Sequence, residues 1–172
     1  MNDAAPRFAR RIPEGDDRER RVCDTCGFVD YENPKIVVGS VVEEAGRVLL
    51  CRRAIEPRRG FWTLPAGYLE LGETAEEGAC REAHEEARAD IALDGLMGVY
   101  SVARIGQVQL LFRAHLAAPG FSAGPESQEV GLFAWEDIPW ADLAFPSVRW
   151  ILQVWREGAP GVAFHSDREG GL

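Results

Sequence analysis

The amino-acid sequence predicts an α/β domain in which two β-hairpins flank a strongly charged helix and a second helix closes the chain. β-branched and apolar runs joined by short turns occur on both sides of residues 74–87. That stretch itself contains no proline and repeats alanine at every fourth position. Because strand and helix periodicities both occur in one chain of this length, a sheet packed against helices is the expected architecture.

Composition places the chain among folded proteins. It has 172 residues, of which 46% are hydrophobic and 27% charged, enough for one domain and a small appendage. The net charge is −9, whereas a nucleic-acid-binding protein normally presents a basic face. We therefore expect no nucleic-acid partner, although clustered carboxylates can bind divalent cations that in turn attract phosphates.

No segment predicts secretion or membrane insertion. Residues 1–13 carry several arginines but no apolar run, and no later stretch approaches the roughly 18 consecutive apolar residues of a membrane span. We expect a cytoplasmic protein without a membrane partner. The cysteines at positions 23, 26, 51 and 80 are then expected to stay reduced.

Residues 1–34 predict a small appendage to the main domain at 35–172. The segment is polar, rich in Arg and Asp, and contains the run Cys23-Asp24-Thr25-Cys26-Gly27. It is too short and too polar to enclose a sizeable core of its own.

The first element of the main domain is a hairpin. Residues 36–42 and 47–51 are apolar and rich in valine, and Glu43-Glu44-Ala45-Gly46 supplies the turn between them.

The charged helix is predicted over Thr74–Ala87. Thr74 followed by Glu77 gives the signature of a capping box at its start. A narrow stripe of small residues would let the helix approach its support closely: Ala75, Ala79, Ala83 and Ala87.

Three further elements follow the helix. Residues 97–102 and 108–116, separated by the turn Arg104-Ile105-Gly106, form a second hairpin, and Val130–Trp135 is a strand candidate. The closing helix is predicted from apolar residues at i, i+3, i+4 and i+7: Val148, Ile151, Leu152 and Trp155.

Three carboxylates share one face of the charged helix, since Glu82, Glu85 and Glu86 are spaced i, i+3 and i+4. Their mutual repulsion raises the pKa of at least one of them unless a cation intervenes. Mg²⁺ prefers carboxylate oxygens, waters and phosphates, so the cluster suits it. The competing interpretation is an acidic helix face that is simply solvated.

The residues around these glutamates favour the first interpretation, because their spacing resembles the Nudix box. The pattern is carried by Gly67, Glu73, Arg81, Glu82, Glu85 and Glu86. The resemblance implies a Nudix α/β/α sandwich with a mixed sheet, in which the box forms a loop, a helix and a loop. It also implies a hydrolase that needs Mg²⁺ or Mn²⁺.

By the same resemblance, each box residue acquires an expected role. Glu82, Glu85 and Glu86 would be metal ligands, and Ala66 would lend its carbonyl to one metal. Arg81 would orient a glutamate by charge-assisted hydrogen bonds, while Gly67 and Glu73 would shape the loop that enters the helix. Arg81, Glu85 and Glu86 are thereby also catalytic candidates.

Two positions depart from the family pattern. Arg88 stands where the family has glycine, and Ala89 where it has a larger aliphatic residue. Glycine there would suit a left-handed helix cap, and another residue in that conformation costs on the order of 1–2 kcal/mol. The resemblance therefore does not predict the conformation at the end of the helix. Every carboxylate of the box is retained.

The general base is a separate question. Glu85 is one candidate, and a glutamate outside the box is the other. The segment Gly124-Pro125-Glu126-Ser127-Gln128-Glu129 precedes a strand, where the family often places such a residue. We favour Glu129 as an additional metal ligand or base over Glu126.

Further segments resemble the ADP-ribose and FAD pyrophosphatases that carry an N-terminal zinc ribbon: Cys51-Arg52-Arg53, residues 60–70, Pro125-Glu126-Ser127 and residues 143–147. The implied substrate is a small dinucleotide or nucleotide-sugar, either FAD or ADP-ribose, with AMP as a product. The nucleobase of this substrate would need an aromatic or cationic face to stack on. The candidate substrate contacts are Arg52, Arg53, Phe61, Trp62 and Phe145. Arg52 and Arg53 are adjacent on a strand and point to opposite faces, so only one can meet the phosphates.

The ribbon of this subgroup usually has two Cys-x-x-Cys pairs, whereas this chain keeps only Cys23 and Cys26. Structural zinc wants four ligands. We therefore favour a metal-free ribbon remnant used for packing or dimer contact over a Zn²⁺ site. A homodimer is the usual expectation for the family.

Three alternatives stay open. The same chemistry could act on NADH or on a nucleoside triphosphate. A catalytically silent module could sense ADP-ribose, although such modules typically lose box carboxylates. A zinc-ribbon nucleic-acid adaptor is disfavoured by the missing cysteines and the net charge of −9.

Overall fold

The computed structural model describes residues 7–158 and 160–168. The chain divides into two compact units, and the division falls after Pro34. In the first unit, three antiparallel strands lie in the order β1-β2-β3: β1 (Phe8–Arg11), β2 (Arg20–Cys23) and β3 (Val29–Asp30). Sequence periodicity identified none of these strands, because each has only two to four residues.

In the first unit, Asp16 stabilises the turn between β1 and β2 by hydrogen bonds. Its Oδ2 accepts a hydrogen bond from Arg20 Nε at 2.9 Å, and its Oδ1 accepts from the backbone N–H groups of Asp17 and Arg18. The bond from Arg20 is the main reason that the pKa of Asp16 is lowered to about 2. At the other end of β2, Gly27 N–H donates to the Cys23 carbonyl and closes the Cys-x-x-Cys turn.

The second unit is a mixed sheet with a helix on each face. Its strands are β4 (Lys35–Glu44), β5 (Arg47–Arg53), β6 (Trp62–Thr63), β7 (Ala66–Tyr68), β8 (Ile91–Val102), β9 (Gln107–Leu116), β10 (Ser127–Phe133) and β11 (Ala163–Ser166). Their order is β10-β5-β4-β9-β8-β11, with β6 on β5 and β7 on β4. The pairs β4–β9 and β8–β11 are parallel, and the other pairs are antiparallel.

The side chains of β4 alternate between the two faces of the sheet, and each face packs against one helix. These helices are α1 (Ala75–Ala87) and α2 (Pro146–Glu157). Val38 and Val42 join the apolar clusters on the α1 side, whereas Val41 packs in the cluster that contains α2. Successive side chains of a strand point to opposite faces, so the sheet lies between the helices. The predicted α/β/α sandwich with a mixed sheet is confirmed.

The predicted hairpins are confirmed. The turn between β4 and β5 consists of Ala45 and Gly46, both with positive φ (50° and 76°), as a type I′ hairpin turn requires. The second hairpin is longer than predicted, since β8 begins at Ile91 rather than at residue 97. Register shifts between Leu93 and Gly95 and again before Gly98 interrupt the alternation that a periodicity search relies on.

The later elements are shifted from their predicted bounds. The strand expected at Val130–Trp135 spans Ser127–Phe133, because Trp135–Asp137 forms a 3-10 turn instead. The closing helix begins at Pro146, a residue whose fixed φ suits a first helical position. Across the described residues, no helix has the length and apolarity needed to cross a bilayer.

Candidate active site

Helix α1 starts and packs as its sequence predicts. Thr74 Oγ1 accepts from Glu77 N–H, and the Glu77 carboxylate accepts from Thr74 N–H, which completes the capping box. Of the alanine stripe, Ala79, Ala83 and Ala87 are buried, and so is Gly78. A Cβ at Gly78 would lie 2.9 Å from Val38 Cγ2 on β4. The helix therefore rests directly on the sheet, and its acidic face is turned towards the loop that precedes it.

Arg81 links the glutamates on and before this helix. Its Nε and Nη2 donate to Glu73 at 3.0 and 2.7 Å, and Nη1 donates to Glu82 at 2.7 Å and to Glu85 at 3.0 Å. Nη2 also donates to the Tyr68 carbonyl. The bonds from Arg81 hold the pKa of Glu73 down at about 2, and the Glu73 carboxylate in turn raises the pKa of Arg81.

Glu86 is only 5% exposed and is held from the opposite side. Its Oε2 accepts a hydrogen bond from Ala66 N–H at 3.1 Å. Burial raises the pKa of Glu86 to about 8, since one hydrogen bond compensates only part of the lost hydration. Burial likewise raises the pKa of Glu82, although Arg81 opposes the shift.

The loop before the helix comes close to these carboxylates because Gly67 lacks a side chain. A Cβ at Gly67 would overlap the Glu82 carboxylate. Ala66 and Gly67 lie on β7, which pairs with Val38 and Gly39 of β4. The backbone of β7 is thereby fixed against the acidic face of α1, and its positions 66 and 67 meet Glu86 and Glu82 respectively.

A turn from a distant part of the chain covers the C-terminal end of α1. Gly124 N–H donates to the Glu86 carbonyl at 3.0 Å, and a Cβ at Gly124 would overlap the Glu85 carbonyl. Ser127 N–H closes the turn on the Gly124 carbonyl. Glu126 is carried by this turn, and its charge adds to the burial that raises the pKa of both Glu82 and Glu86.

Glu129, which sequence reasoning favoured over Glu126, lies three residues further along on β10. It faces Arg52 in the register between β10 and β5, and its Oε2 is 3.7 Å from Arg52 Nη1. Its side chain is 60% exposed. The sequence held no signal that could separate these two glutamates, because the docking of the turn on α1 decides which of them adjoins the cluster.

Arg52 and Arg53 point apart, as their adjacency on β5 requires. Arg52 Nε donates to the Gly60 carbonyl at 3.0 Å. Arg53 Nε donates to the Pro57 carbonyl, and its guanidinium lies 5.3 Å from the centre of the Phe145 ring. The positive charge of Arg53 also opposes the rise in the pKa of Glu86, whose main cause is burial. Arg53 is therefore the arginine on the side of the acidic cluster.

The aromatic candidates occupy different surroundings. Trp62 packs edge-on against Phe133 at 4.8 Å and adjoins the core cluster on the α2 side. Phe61 lies beneath the guanidinium of Arg58 at 5.3 Å. Phe145 immediately precedes α2 and has the Arg53 guanidinium over its ring. Only Phe145 among the three is in contact with an arginine of the acidic side.

Arg88 adopts the left-handed conformation that the family pattern reserves for glycine. Its φ is 47° and its ψ 29°, and its backbone N–H donates to the carbonyls of Ala83 and His84. The helix therefore ends at Ala87 in spite of the substitution. Ala89 is fully buried, so its small side chain meets the core rather than solvent.

Cys23 and Cys26 are free thiols, the first buried and the second exposed. Backbone hydrogen bonds from Cys26 and Thr25 lower the pKa of Cys23. In the part of the chain that the structure describes, no further Cys, His, Asp or Glu joins them to complete a group of three.

The donor chemistry of the helix cluster fits a hard divalent cation. Glu82, Glu85 and Glu86 each use one carboxylate oxygen in a hydrogen bond to Arg81 or Ala66, and within residues 7–158 and 160–168 their second oxygens accept none. Carboxylate oxygens of this kind suit Mg²⁺ or Mn²⁺. In the described residues, three such side chains are not gathered around one point. Arg81 Nη1 donates to both Glu82 and Glu85 and acts as their counter-ion.

Comparisons with known proteins find matches along most of the chain. The family model described as NUDIX domain matches residues 33–152, and the zinc-ribbon model described as Nudix N-terminal matches residues 5–32. The ADP-ribose pyrophosphatase of Methanocaldococcus jannaschii is 30% identical over 134 residues, which cover 74% of this chain and 78% of that protein. The NAD-capped RNA hydrolase NudC of Vibrio atlanticus is 29% identical over 67% of this chain and 42% of its own.

Solved structures show the same likeness. A NUDIX hydrolase from Nitrosomonas europaea superimposes with a TM-score of 0.87 at 42% identity, covering 96% of this chain and 98% of that one. An ADP-ribose pyrophosphatase from Streptococcus suis aligns with a TM-score of 0.63 over 78% of this chain and all of its own, but at 17% identity this likeness concerns the fold alone.

Proposed function

The chain belongs to the NUDIX family, and from this premise we propose that it hydrolyses the pyrophosphate bond of ADP-ribose or FAD and releases AMP. That it is a Nudix pyrophosphohydrolase follows from the family match and from relatives named as pyrophosphatases and diphosphatases. The observation that carries the proposal for its site is the joint arrangement of Arg81, Glu82, Glu85 and buried Glu86 against Ala66 and Gly67.

Nudix hydrolases generally use divalent cations, and we assign the cation ligands here to Glu82, Glu85, Glu86 and the Ala66 carbonyl. When bound, Mg²⁺ or Mn²⁺ supplies Lewis-acid chemistry, which stabilises negative charge on the phosphate oxygens and lowers the pKa of water. The assignment is supported by the free oxygens of the three carboxylates. It is also supported by the burial of Glu82 and Glu86, which are 8% and 5% exposed. Buried carboxylates need positive partners to balance their negative charge.

The protein's own side chains would position the reacting groups. Arg81 holds Glu82 and Glu85 in one orientation, and its hydrogen bonds to Glu73 fix the position of the guanidinium. Arg53 brings positive charge to the neighbourhood of Glu86, where it opposes the rise in the pKa of Glu86 that burial causes. A bidentate guanidinium is well matched to phosphate oxygens, so Arg53 rather than Arg52 would contact the diphosphate.

We propose Glu126 as the group that takes a proton from the attacking water. It lies on the turn whose Gly124 N–H donates to the Glu86 carbonyl, whereas Glu129 Oε2 lies 3.7 Å from Arg52 Nη1. The reaction consumes one water, breaks one bond between phosphorus and the bridging oxygen, and yields AMP with ribose 5-phosphate or FMN. The alternative general base is Glu85, which is paired with Arg81. Glu129 is the third candidate for this role.

The choice of substrate is supported by the relative named ADP-ribose pyrophosphatase, which this chain matches over most of both lengths. NADH is the alternative favoured by the relative named as an NAD(P)H pyrophosphatase of Mus musculus, which matches 42% of this chain. A nucleoside triphosphate is the alternative favoured by the relative named as a putative 8-oxo-dGTP diphosphatase. A module that only senses ADP-ribose is disfavoured because every box carboxylate is retained.

A hydrolysis panel tests the proposed function. ADP-ribose, FAD, NADH and several nucleoside triphosphates are incubated with the protein, with and without Mg²⁺, and the products are identified. We expect AMP from ADP-ribose or FAD only when Mg²⁺ is present. The Glu86→Gln variant, which keeps the shape of the buried side chain, should lose a factor of about 10² or more in kcat while its circular dichroism spectrum stays unchanged.

Two results would reject the proposal. Binding of ADP-ribose without release of AMP under any divalent ion would favour the sensor. Faster hydrolysis of NADH or of a triphosphate than of ADP-ribose and FAD would assign the enzyme to another substrate class.

A further inference from the structure

The proposed hydrolysis assigns no role to the Cys-x-x-Cys turn between β2 and β3. Cys23 is the last residue of β2, and Cys26 lies within the turn. Cys23 N–H donates to the Phe28 carbonyl at 2.8 Å, and Gly27 N–H donates to the Cys23 carbonyl at 3.0 Å. Gly27 has a φ of 75°, a conformation that glycine adopts without steric cost. The backbone hydrogen bonds therefore fix the turn that carries both cysteines.

The two sulfur atoms are neighbours inside this turn. The backbone N–H groups of Cys26 and Thr25 donate to Cys23 Sγ, and the Cys26 side chain also forms a hydrogen bond with it. The N–H donors lower the pKa of Cys23, because they stabilise a negatively charged sulfur. Cys-x-x-Cys motifs form the redox-active disulfides of oxidoreductases. The contact between the two side chains therefore suits a disulfide.

The two thiols differ in exposure. Cys26 is exposed, whereas Cys23 is only 3% exposed. Access is one of the factors that set how fast a thiol reacts with an external disulfide, so Cys26 is the thiol that an oxidant meets first. Cys23 lies behind it as the resolving thiol. No other cysteine belongs to this unit, since Cys51 and Cys80 lie in the second one.

The first unit has little apolar core. Among its described residues, Val22 and Cys23 are the only buried apolar side chains. Its large apolar side chains are between 36% and 61% exposed: Phe8, Ile12, Phe28 and Tyr31. Units below roughly 40 residues usually depend on a disulfide, a metal or a partner subunit for stability. A covalent bond at Cys23 would therefore crosslink the unit at its buried centre.

A metal fits the two thiols less well than a disulfide does. A structural zinc ion takes four ligands. In the part of the chain that the structure describes, no His, Asp, Glu or further Cys joins Cys23 and Cys26 to make a group of three. Two neighbouring thiols without further metal ligands are free to pair with each other.

We propose that Cys23 and Cys26 form a reversible dithiol–disulfide couple that is oxidised by small disulfide compounds such as oxidised glutathione. The Cys26 thiolate attacks the external disulfide, which forms a mixed disulfide and releases one small thiol. The Cys23 thiolate then attacks the Cys26 sulfur, which closes the bond between the two cysteines and releases the second small thiol. The two hydrogens and two electrons that the protein loses pass to the oxidant, and an excess of small thiol reverses both steps.

The test uses the full chain in its reduced form, stripped of metal with EDTA. It is incubated with oxidised glutathione at neutral pH, the remaining thiols are blocked with iodoacetamide, and the protein is cleaved with trypsin. Both cysteines lie in one tryptic peptide, residues 22–35, because Arg21 precedes it and Lys35 ends it. Mass spectrometry should find this peptide unblocked and lighter by two hydrogen atoms than its reduced form. Dithiothreitol added before the blocking step should restore both thiols.

Single substitutions separate the two steps. Cys26→Ser should leave Cys23 reduced, because the remaining thiol is buried. Cys23→Ser should stop at the mixed disulfide between Cys26 and glutathione, since the resolving thiol is missing. Cys80→Ser is the matched control, and it should form the disulfide as the wild type does.

Two results for the wild type would overturn the proposal. In the first, the peptide of residues 22–35 keeps two free thiols in an excess of oxidised glutathione. In the second, glutathione stays bound to Cys26 while Cys23 remains free. Both results are read on the wild type, so a variant that fails to fold does not decide the test. Neither depends on the outcome of the hydrolysis panel.

Discussion

At the scale of single residues, Arg81 explains how Glu73, Glu82 and Glu85 can lie close together. One guanidinium donates to Glu73, Glu82 and Glu85 and thereby compensates part of their repulsion. Glu86 receives no such bond, and burial raises its pKa to about 8. The sequence predicted that repulsion would raise the pKa of at least one carboxylate of the cluster. In the structure the pKa values of both Glu82 and Glu86 are raised, and burial is the main cause.

Glu126 and Glu129 can be separated by a pair of matched substitutions. Glu126→Gln should lower kcat for ADP-ribose by about 10² or more, because the loss of a general base typically costs this much. Glu129→Gln should change kcat only a few-fold, since it removes an exposed partner of Arg52. Steady-state kinetics at saturating Mg²⁺ distinguish them. A larger loss in Glu129→Gln than in Glu126→Gln would return the role to Glu129.

Arg88 stores backbone strain at the end of α1, because its φ of 47° is unfavourable for a residue with a Cβ. Arg88→Gly should remove about 1–2 kcal/mol of that strain. The greater freedom of the unfolded chain should offset this by roughly 0.4–1 kcal/mol of lost stability. A net stabilisation of about 0.5–1 kcal/mol is expected, measured by urea denaturation. Arg88→Ala is the control and should be neutral, since alanine keeps the Cβ. A variant Arg88→Gly that is less stable than the other two proteins by roughly 0.4–1 kcal/mol would show that the strain is absent, because only the entropic cost of glycine would then remain.

At the scale of elements, local sequence signals predicted what depends on near neighbours. The capping box of α1, its alanine stripe, the two-residue turn after β4 and the apolar face of α2 are each read from residues a few positions apart. The turn Gly124–Ser127 could not be placed in this way, because what fixes it is the absence of a Cβ at Gly124 against the Glu85 carbonyl. The short strands β6 and β7 were missed for a similar reason, since their partners lie on β5 and β4.

The small N-terminal unit offers a prediction about pH. Arg20 holds the pKa of Asp16 at about 2, well below its ordinary value of 3.8. A carboxyl whose pKa is lowered by folding stabilises the fold above its unfolded pKa, and this contribution disappears as pH falls through the folded pKa. The β1–β2 turn should therefore be fully stabilised by Asp16 above about pH 4 and lose that contribution between about pH 4 and 2.

The titration of Asp16 can be followed directly by ¹³C NMR of its carboxyl carbon. The midpoint should lie near 2 in the wild type and move towards 3.8 in Arg20→Ala. Arg18→Ala is the matched control, because the Arg18 side chain pairs with Asp17 instead. A wild-type midpoint close to 3.8 would mean that the bond between Arg20 and Asp16 does not persist in solution.

At the scale of the whole molecule, the sandwich of the second unit brings together groups that are far apart in the chain. The acidic face comes from α1, the covering turn from the segment before β10, and Arg53 from the end of β5. The fold class and the family were predictable because the box is contiguous and its spacing is specific. The strand order was not, since the parallel pairing of β4 with β9 joins segments about seventy residues apart and leaves no local pattern.

The central claim is that the acidic face of α1, together with Ala66, binds the divalent cations on which hydrolysis depends. A crystal of the protein soaked in Mn²⁺ tests it most directly, because anomalous scattering locates the ion without assumptions about its ligands. We predict a Mn²⁺ peak in contact with Glu82, Glu85, Glu86 and the Ala66 carbonyl, and a weaker or absent peak in Glu86→Gln. A wild-type map without an ion at these groups, with Arg81 still bridging Glu82 and Glu85, would contradict the claim.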